Sequence, residues 1–176
     1  MEVKQPAGHI DHMLRQTRAH HVQLSQMADS KANMIMTVGS LLVPLSIRYL
    51  QIPQFQAAAM IMIGFCILTV VLSAYAALPK TKTRQPSGNL PAAQNPSFNL
   101  LFFGSFAGMD YPDFEDAMEE VMNNHNQTYE IQIREIYIMG RHLERSKYRF
   151  VRLSYQSFIT GIIFSTFVYM VGLYLF

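Results

Sequence analysis

Polar and apolar positions in this chain separate into long blocks instead of alternating. Two blocks, 55–78 and 154–176, contain no charged side chain. Each exceeds the ~20 apolar residues that cross a hydrocarbon core as a helix. A third charge-free run, 32–47, is shorter, but Lys31 and Arg48 bracket it, and their long stems can reach toward the two interfaces. The short RYLQIPQ segment joins this run to the second block, so the pair reads as a membrane hairpin. The pattern predicts three spans, over 32–50, 55–78 and 154–176.

The polar blocks lead into two of these spans without a break. Ile10, Met13, Leu14, His21, Leu24, Met27 and Ala28 recur near the helical period. Nothing between Asp11 and Gly39 would end a helix, so the N-terminal segment 1–31 and the first span read as one rod of about 40 residues, on the order of 60 Å long. Pro44 falls inside the span, a place where proline kinks helices. On the C-terminal side, Tyr129, Ile133, Ile136, Gly140, Leu143, Lys147, Phe150 and Ser154 follow alternating steps of four and three, a seam that packs on another helix. Between these rods, residues 79–97 hold prolines, a glycine and basic residues and read as an extended linker. Phe98, Leu101, Phe102, Phe103 and Phe106 are too apolar for a free loop and are expected to pack against the helices of a cytoplasmic region, 98–153. Asp110 before Pro112, with acids following, marks a helix start. The fold class is therefore all-α: a membrane protein of three transmembrane helices, with a cytoplasmic helical bundle formed by extensions of the first and last spans.

Charge then orients the molecule. Of the 14 lysines and arginines, Arg48 alone falls in the turn after the first span. With the N-terminus in the cytoplasm the rest lie inside, as the positive-inside rule requires. The chain would sit in a cell inner membrane as a multi-pass protein, with its C-terminus at the outer face. Its first residues lack the apolar core and cleavage site of a secretory signal. The net charge of +2 is too small to argue for nucleic acid, and the lone Cys66 lies in an apolar run, where an inert thiol is expected.

Little in the sequence looks catalytic. There is no phosphate-binding glycine loop, nucleophile elbow or cysteine pair. His9 and His12 share a helical face without further ligands, and the acids Asp113 to Glu120 suit a helix start better than a metal cradle. No enzyme activity, cofactor or metal is expected. A ligand site has better support. Arg134 and Arg141 are seven apart on one face with Tyr137 between them, while Phe102, Phe103 and Gly104 stand together in the aromatic segment. Arginine suits a phosphate and an aromatic face suits a base, although the same arginines would suit acidic lipid headgroups. In the last span, Ser157, Gly161 and Ser165 are four apart. Such a small-residue stripe allows close helix approach, within the chain or between copies, and Gly39 and Ser40 are its candidate receivers.

Three blocks carry a resemblance to a known family. LSQMADSKANMIMTVGSLL, FFGSFAGMDYPDFEDAM and YEIQIREIYIMGRHLERSKYRFVRLSYQSFITG occur in this order. They resemble the Ala-Asp-x-Lys-Ala-Asn block, the Phe-Phe-Gly-x-Phe segment and the long final helix of the Pycsar effector transmembrane family. The matching motif residues are Ala28, Asp29, Lys31, Ala32 and Asn33, then Phe102, Phe103, Gly104 and Phe106. The resemblance implies a part in anti-phage defence and abortive infection. A cyclase makes cCMP or cUMP on infection, and the membrane effector responds by impairing the inner membrane. Expected partners are the lipid bilayer, a cyclic mononucleotide and further copies of the chain, with no nucleic acid. Asp29, Lys31 and Asn33 stand at the entry to the first span and are candidate coupling residues. Asp29 is expected to pair with Arg149 or Arg152, and Asn33 to hydrogen-bond between helices. Two other readings stay open: a membrane adaptor, or a small channel subunit without its own nucleotide ligand.

Overall fold

The computed structural model describes residues 3, 7–79 and 98–175 of the 176, with side chains to residue 173. Apart from Pro79, the linker expected over 79–97 lies outside the described residues. The described residues are almost wholly helical and include no strand. The first helix, α1, runs unbroken from Gly8 to Ile47 and contains Pro44. A 3-10 turn, Arg48–Gln51, leads to α2, Pro53–Ala77, with Pro53 at its first position, where a missing N–H costs nothing. From residue 98 on come a four-residue helix α3, Phe103–Phe106, then α4, Tyr111–Met122, and α5, His125–His142. A π-helical turn, Leu143–Tyr148, joins α5 to α6, Arg149–Leu175. Three of these helical stretches are long and apolar enough to cross a membrane.

The chain divides into two compact units. The first combines residues 1–23 with 79–141. Its core gathers Phe98, Leu100, Ala117, Val121 and Ile131, with Phe106 and Phe114 packed on it. Asn99 holds the core strand of loop in place: its side chain accepts from the Leu101 N–H at 3.1 Å, a local turn that turns Phe98 and Leu100 inward. The α4–α5 corner is made by Asn124, whose side chain accepts from the N–H groups of Asn126 and Gln127 at the start of α5. Thr128 closes the corner by donating to the Val121 carbonyl. Phe102 and Phe103 depart from the expected packing. Their rings meet at a tilt of 49°, 4.9 Å between centroids, and remain exposed, Phe103 at 58%. The reason is local: Phe98, Leu100 and Phe106 already fill the core side of the segment.

The second unit combines residues 24–78 with 142–176. Here small residues let helices meet closely. Gly39 of α1 lies against Val70 and Cys66 of α2. Gly161 of α6 lies against Phe65 of α2, and Ser157 donates to the Phe65 carbonyl at 3.4 Å. The receiver of the stripe on α6 is thus α2, not Gly39 and Ser40. Thr69 and Ser73 of α2 and Ser154 of α6 are fully buried, and each hydroxyl bonds a carbonyl of its own helix. That satisfies the hydroxyls without water and keeps the contact thin. Large apolar side chains such as Leu41, Leu45, Ile67, Val71, Ile163 and Phe167 point outward, the arrangement a lipid solvent favours.

A π turn interrupts the seam expected from sequence, of which Tyr129, Leu143 and Ser154 are buried. The Arg149 N–H bonds to the Glu144 carbonyl, five residues back, so one extra residue is wound into the helix. Beyond it Ser154, the last position of the expected seam, is fully buried together with Val151, while Phe150 is only partly covered beside Tyr75.

Candidate functional site

In the first unit, α1 and α5 enclose a cleft of about 250 Å³ lined by Asp11, Arg15, Arg18, Gln132 and Glu135, with Leu14 and Ile136 as its apolar part. Helical spacing explains the lining. Leu14 and Arg18 are four apart on α1, as Gln132 and Ile136 are on α5, so each helix presents one mixed face. Arg18 pairs with Glu135 at 3.2 Å; the arginine is half exposed, while Glu135 is only 8% exposed. The second carboxylate oxygen of Glu135, Oε2, is buried with no hydrogen-bond partner. Burial pushes the Glu135 carboxyl above its ordinary range, and the Arg18 charge opposes that rise. At the same end Tyr129 donates its hydroxyl to Asp11 at 2.8 Å. That bond, with burial and the Asp11 charge, raises the phenol above its ordinary value. The cleft therefore offers guanidinium donors on α1 facing a buried acceptor on α5. Among the described residues no three His, Cys, Asp or Glu side chains gather closely enough to hold a metal ion.

The residues singled out from sequence fall into separate pairings. Arg134 bonds Glu130 one turn away at 2.6 Å. Arg141 lies over the Tyr137 ring at 5.6 Å on an exposed face. Phe102 meets Phe103 at a tilt, and the Phe102 ring covers Gly104, occupying the place where a Cβ would stand. Among the described residues, neither phenylalanine makes a ring or hydrogen-bond contact with Tyr137 or Arg141. Sequence reasoning passed over Arg15, Arg18, Gln132 and Glu135. The signal available was the i, i+3 spacing of the two arginines opposite a carboxylate lying off the apolar seam.

In the second unit, the Ala-Asp-x-Lys-Ala-Asn block has a direct structural explanation. Ala28 and Ala32, one turn apart and 1% exposed, form a core with Ala76 of α2 and Val151 of α6. Larger side chains there would hold the helices apart. Asp29, on the flank of that contact, takes Lys147 as its partner, not Arg149 or Arg152. The Lys147 ammonium lies 2.7 and 2.6 Å from the two carboxylate oxygens and 2.9 Å from the Ser25 hydroxyl. Next to it, Tyr148 donates to the Leu24 carbonyl at 3.1 Å. Both partners stand in the π turn, so its wider winding supplies the groups that hold α1. Lys31 and Asn33 are exposed, and the Asn33 carbonyl accepts from Thr37 within α1; among the described residues no side-chain bond from Asn33 to another helix forms. Ser165 is partly covered on α6.

Comparison with known proteins agrees with the three blocks quoted above. The family model described as Pycsar effector protein domain, PycTM, matches residues 12–175. No curated protein and no solved structure matches the chain. The match covers α1 from its second turn through α6, and so takes in the cleft, the Asp29–Lys147 junction and all three long apolar helices: the chain belongs to the Pycsar effector family and is a multi-pass membrane effector of anti-phage defence.

Proposed function

We propose that the protein responds to a cyclic pyrimidine mononucleotide, cCMP or cUMP, by impairing the integrity of the inner membrane. The observation that carries this reading is the family match across residues 12–175 of a chain with three span-length helices. The cleft in the first unit supports direct sensing, because its arginines suit a phosphate. The Asp29–Lys147 pair supports coupling, since it is a polar latch beside a close-packed alanine contact. A ligand that favours one packing of these helices over another shifts the population toward it. The N-terminus is cytoplasmic in this reading, on the strength of the lysine and arginine distribution. Self-association is expected of the active form, and the exposed Phe102–Phe103 and Tyr137–Arg141 pairs are alternative ligand contacts.

The test is dye release from vesicles of phosphatidylethanolamine and phosphatidylglycerol that carry the purified full-length protein. Addition of cCMP or cUMP should release dyes of several sizes, while cAMP and cGMP should not. Retention of every dye under all four nucleotides would overturn a direct, membrane-impairing response and leave an adaptor role. Passage of one small solute alone would identify a selective channel instead.

A further inference from the structure

Among the described residues of the first unit, His21, Gln127 and Glu135 each have a buried polar atom without a partner, and of these three Glu135 lines the cleft. Its Oε1 takes Arg18, whereas Oε2 is shielded from water and has no partner. A buried acceptor left bare is costly, and a purely structural ion pair would not need one. Here the bare oxygen belongs to a residue that lines an open cleft alongside Arg15 and Arg18. Such a site is completed by a ligand bringing two features: a hydrogen-bond donor for the carboxylate and an anionic group for the guanidiniums.

We propose that this cleft binds a small nucleotide with an amine on its base, the amine donating to Glu135 and the phosphate lying against Arg15 and Arg18. The assignment rests on the sensing role proposed above and decides between its two pyrimidines. Cytosine presents an exocyclic amine, the donor that a carboxylate accepts; uracil presents a carbonyl oxygen at the same place, which meets the carboxylate as acceptor against acceptor. Gln132, three residues before Glu135 on the same helix, borders the site and can bond a base edge as donor or acceptor. Asp11 does not compete for the ligand amine in the same way, because it already accepts from Tyr129. The cleft of about 250 Å³ has room for a group of mononucleotide size.

Calorimetric titration of the detergent-purified full-length protein with cCMP, cUMP and inorganic phosphate tests this. Wild type should bind cCMP more tightly than cUMP by about tenfold, the worth of one good base-edge contact. Glu135→Gln should erase or reverse that preference, since an amide can donate to the uracil oxygen. Arg15→Ala, at an exposed position where folding is not at stake, should weaken both nucleotides while keeping their ratio. Circular dichroism and gel filtration establish that each variant is folded. If either nucleotide binds and neither substitution alters it, or if Arg141→Ala abolishes it while Arg15→Ala does not, the ligand lies elsewhere and the cleft assignment falls with direct sensing intact. A wild-type preference for cUMP overturns the amine contact. Binding of neither nucleotide overturns both the assignment and direct sensing; toxicity on co-expression with a pyrimidine cyclase would then keep the effector role through an intermediary.

Discussion

Removing Asp29 should cost the protein more than removing its partner Lys147, and the asymmetry can be worked from geometry. The Lys147 side chain is 16% exposed and its ammonium bonds both carboxylate oxygens and Ser25; the Asp29 side chain is 39% exposed. In Lys147→Met the aliphatic stem is retained, and Asp29 turns its carboxylate to the water that already reaches it. The loss is that of a partly exposed pair, about 1 kcal/mol. In Asp29→Ala the ammonium is left covered, with the Ser25 hydroxyl as its remaining acceptor. Breaking a buried pair this way costs about 3–5 kcal/mol; the exposure of Asp29 and the help of Ser25 bring the expectation to about 2.5 kcal/mol. The double variant should cost about 1 kcal/mol, because no charge is stranded. The three values give a coupling of about 2.5 kcal/mol, measurable as a double-mutant cycle by detergent-denaturation curves in mixed micelles. Equal single-variant losses, or a coupling below about 0.3 kcal/mol, would refute the claim that Lys147 is a desolvated charge held by Asp29.

Two further outcomes follow from contacts already described. Gly161→Ala places a methyl group on Phe65 close to its backbone, with Cγ at 3.0 Å, where no flexible tip can swing away; it should destabilise by roughly 1–3 kcal/mol in the same assay, whereas Gly64→Ala, with nothing within 4 Å, should stay within ~0.5 kcal/mol of wild type; equal behaviour of the two would show that α2 and α6 do not meet at Gly161. Glu135 lines the cleft with Arg18, Arg15 and Asp11 of α1, and its folded-state carboxyl is raised above the unfolded value, so the native protein holds the proton more tightly and stability from this group falls as pH rises through that window. Glu135→Gln should therefore gain thermal stability relative to wild type as pH rises from the acid range toward neutrality, and a gap that stays constant or runs the other way would contradict the burial of that carboxylate.

The membrane spans and the unbroken first helix were legible because length and charge exclusion act locally. The same holds for the helix start at Tyr111, where Asp110 and Pro112 set the backbone. What eluded the sequence depends on meetings between distant segments. Tyr129 reaches Asp11 across 118 positions, and no periodicity within α5 indicates which α1 face lies opposite. The partner of Asp29 was misassigned for a related reason. Arg149 and Arg152 lie closer to the last span than Lys147, but α6 points them outward, and the π turn brings Lys147 round instead. The exposure of Phe102 and Phe103 was equally hidden, since their neighbours Phe98, Leu100 and Phe106 had filled the available interior.

The extra residue in the π turn also makes that part of the helix a vernier. On one side of it Leu143 is buried; on the other, Val151 and Ser154 are buried. The helix keeps Val151 against Ala28 and Ala32 with the wide turn carried just upstream of it. A wide turn of this kind can travel along a helix by exchanging one carbonyl partner at a time, and each step re-aims a single side chain. One such step past Lys147 would lift the ammonium from Asp29 without unwinding α6. The graduation mark of this device is one residue, which makes it finer than the sliding of one packed helix over another.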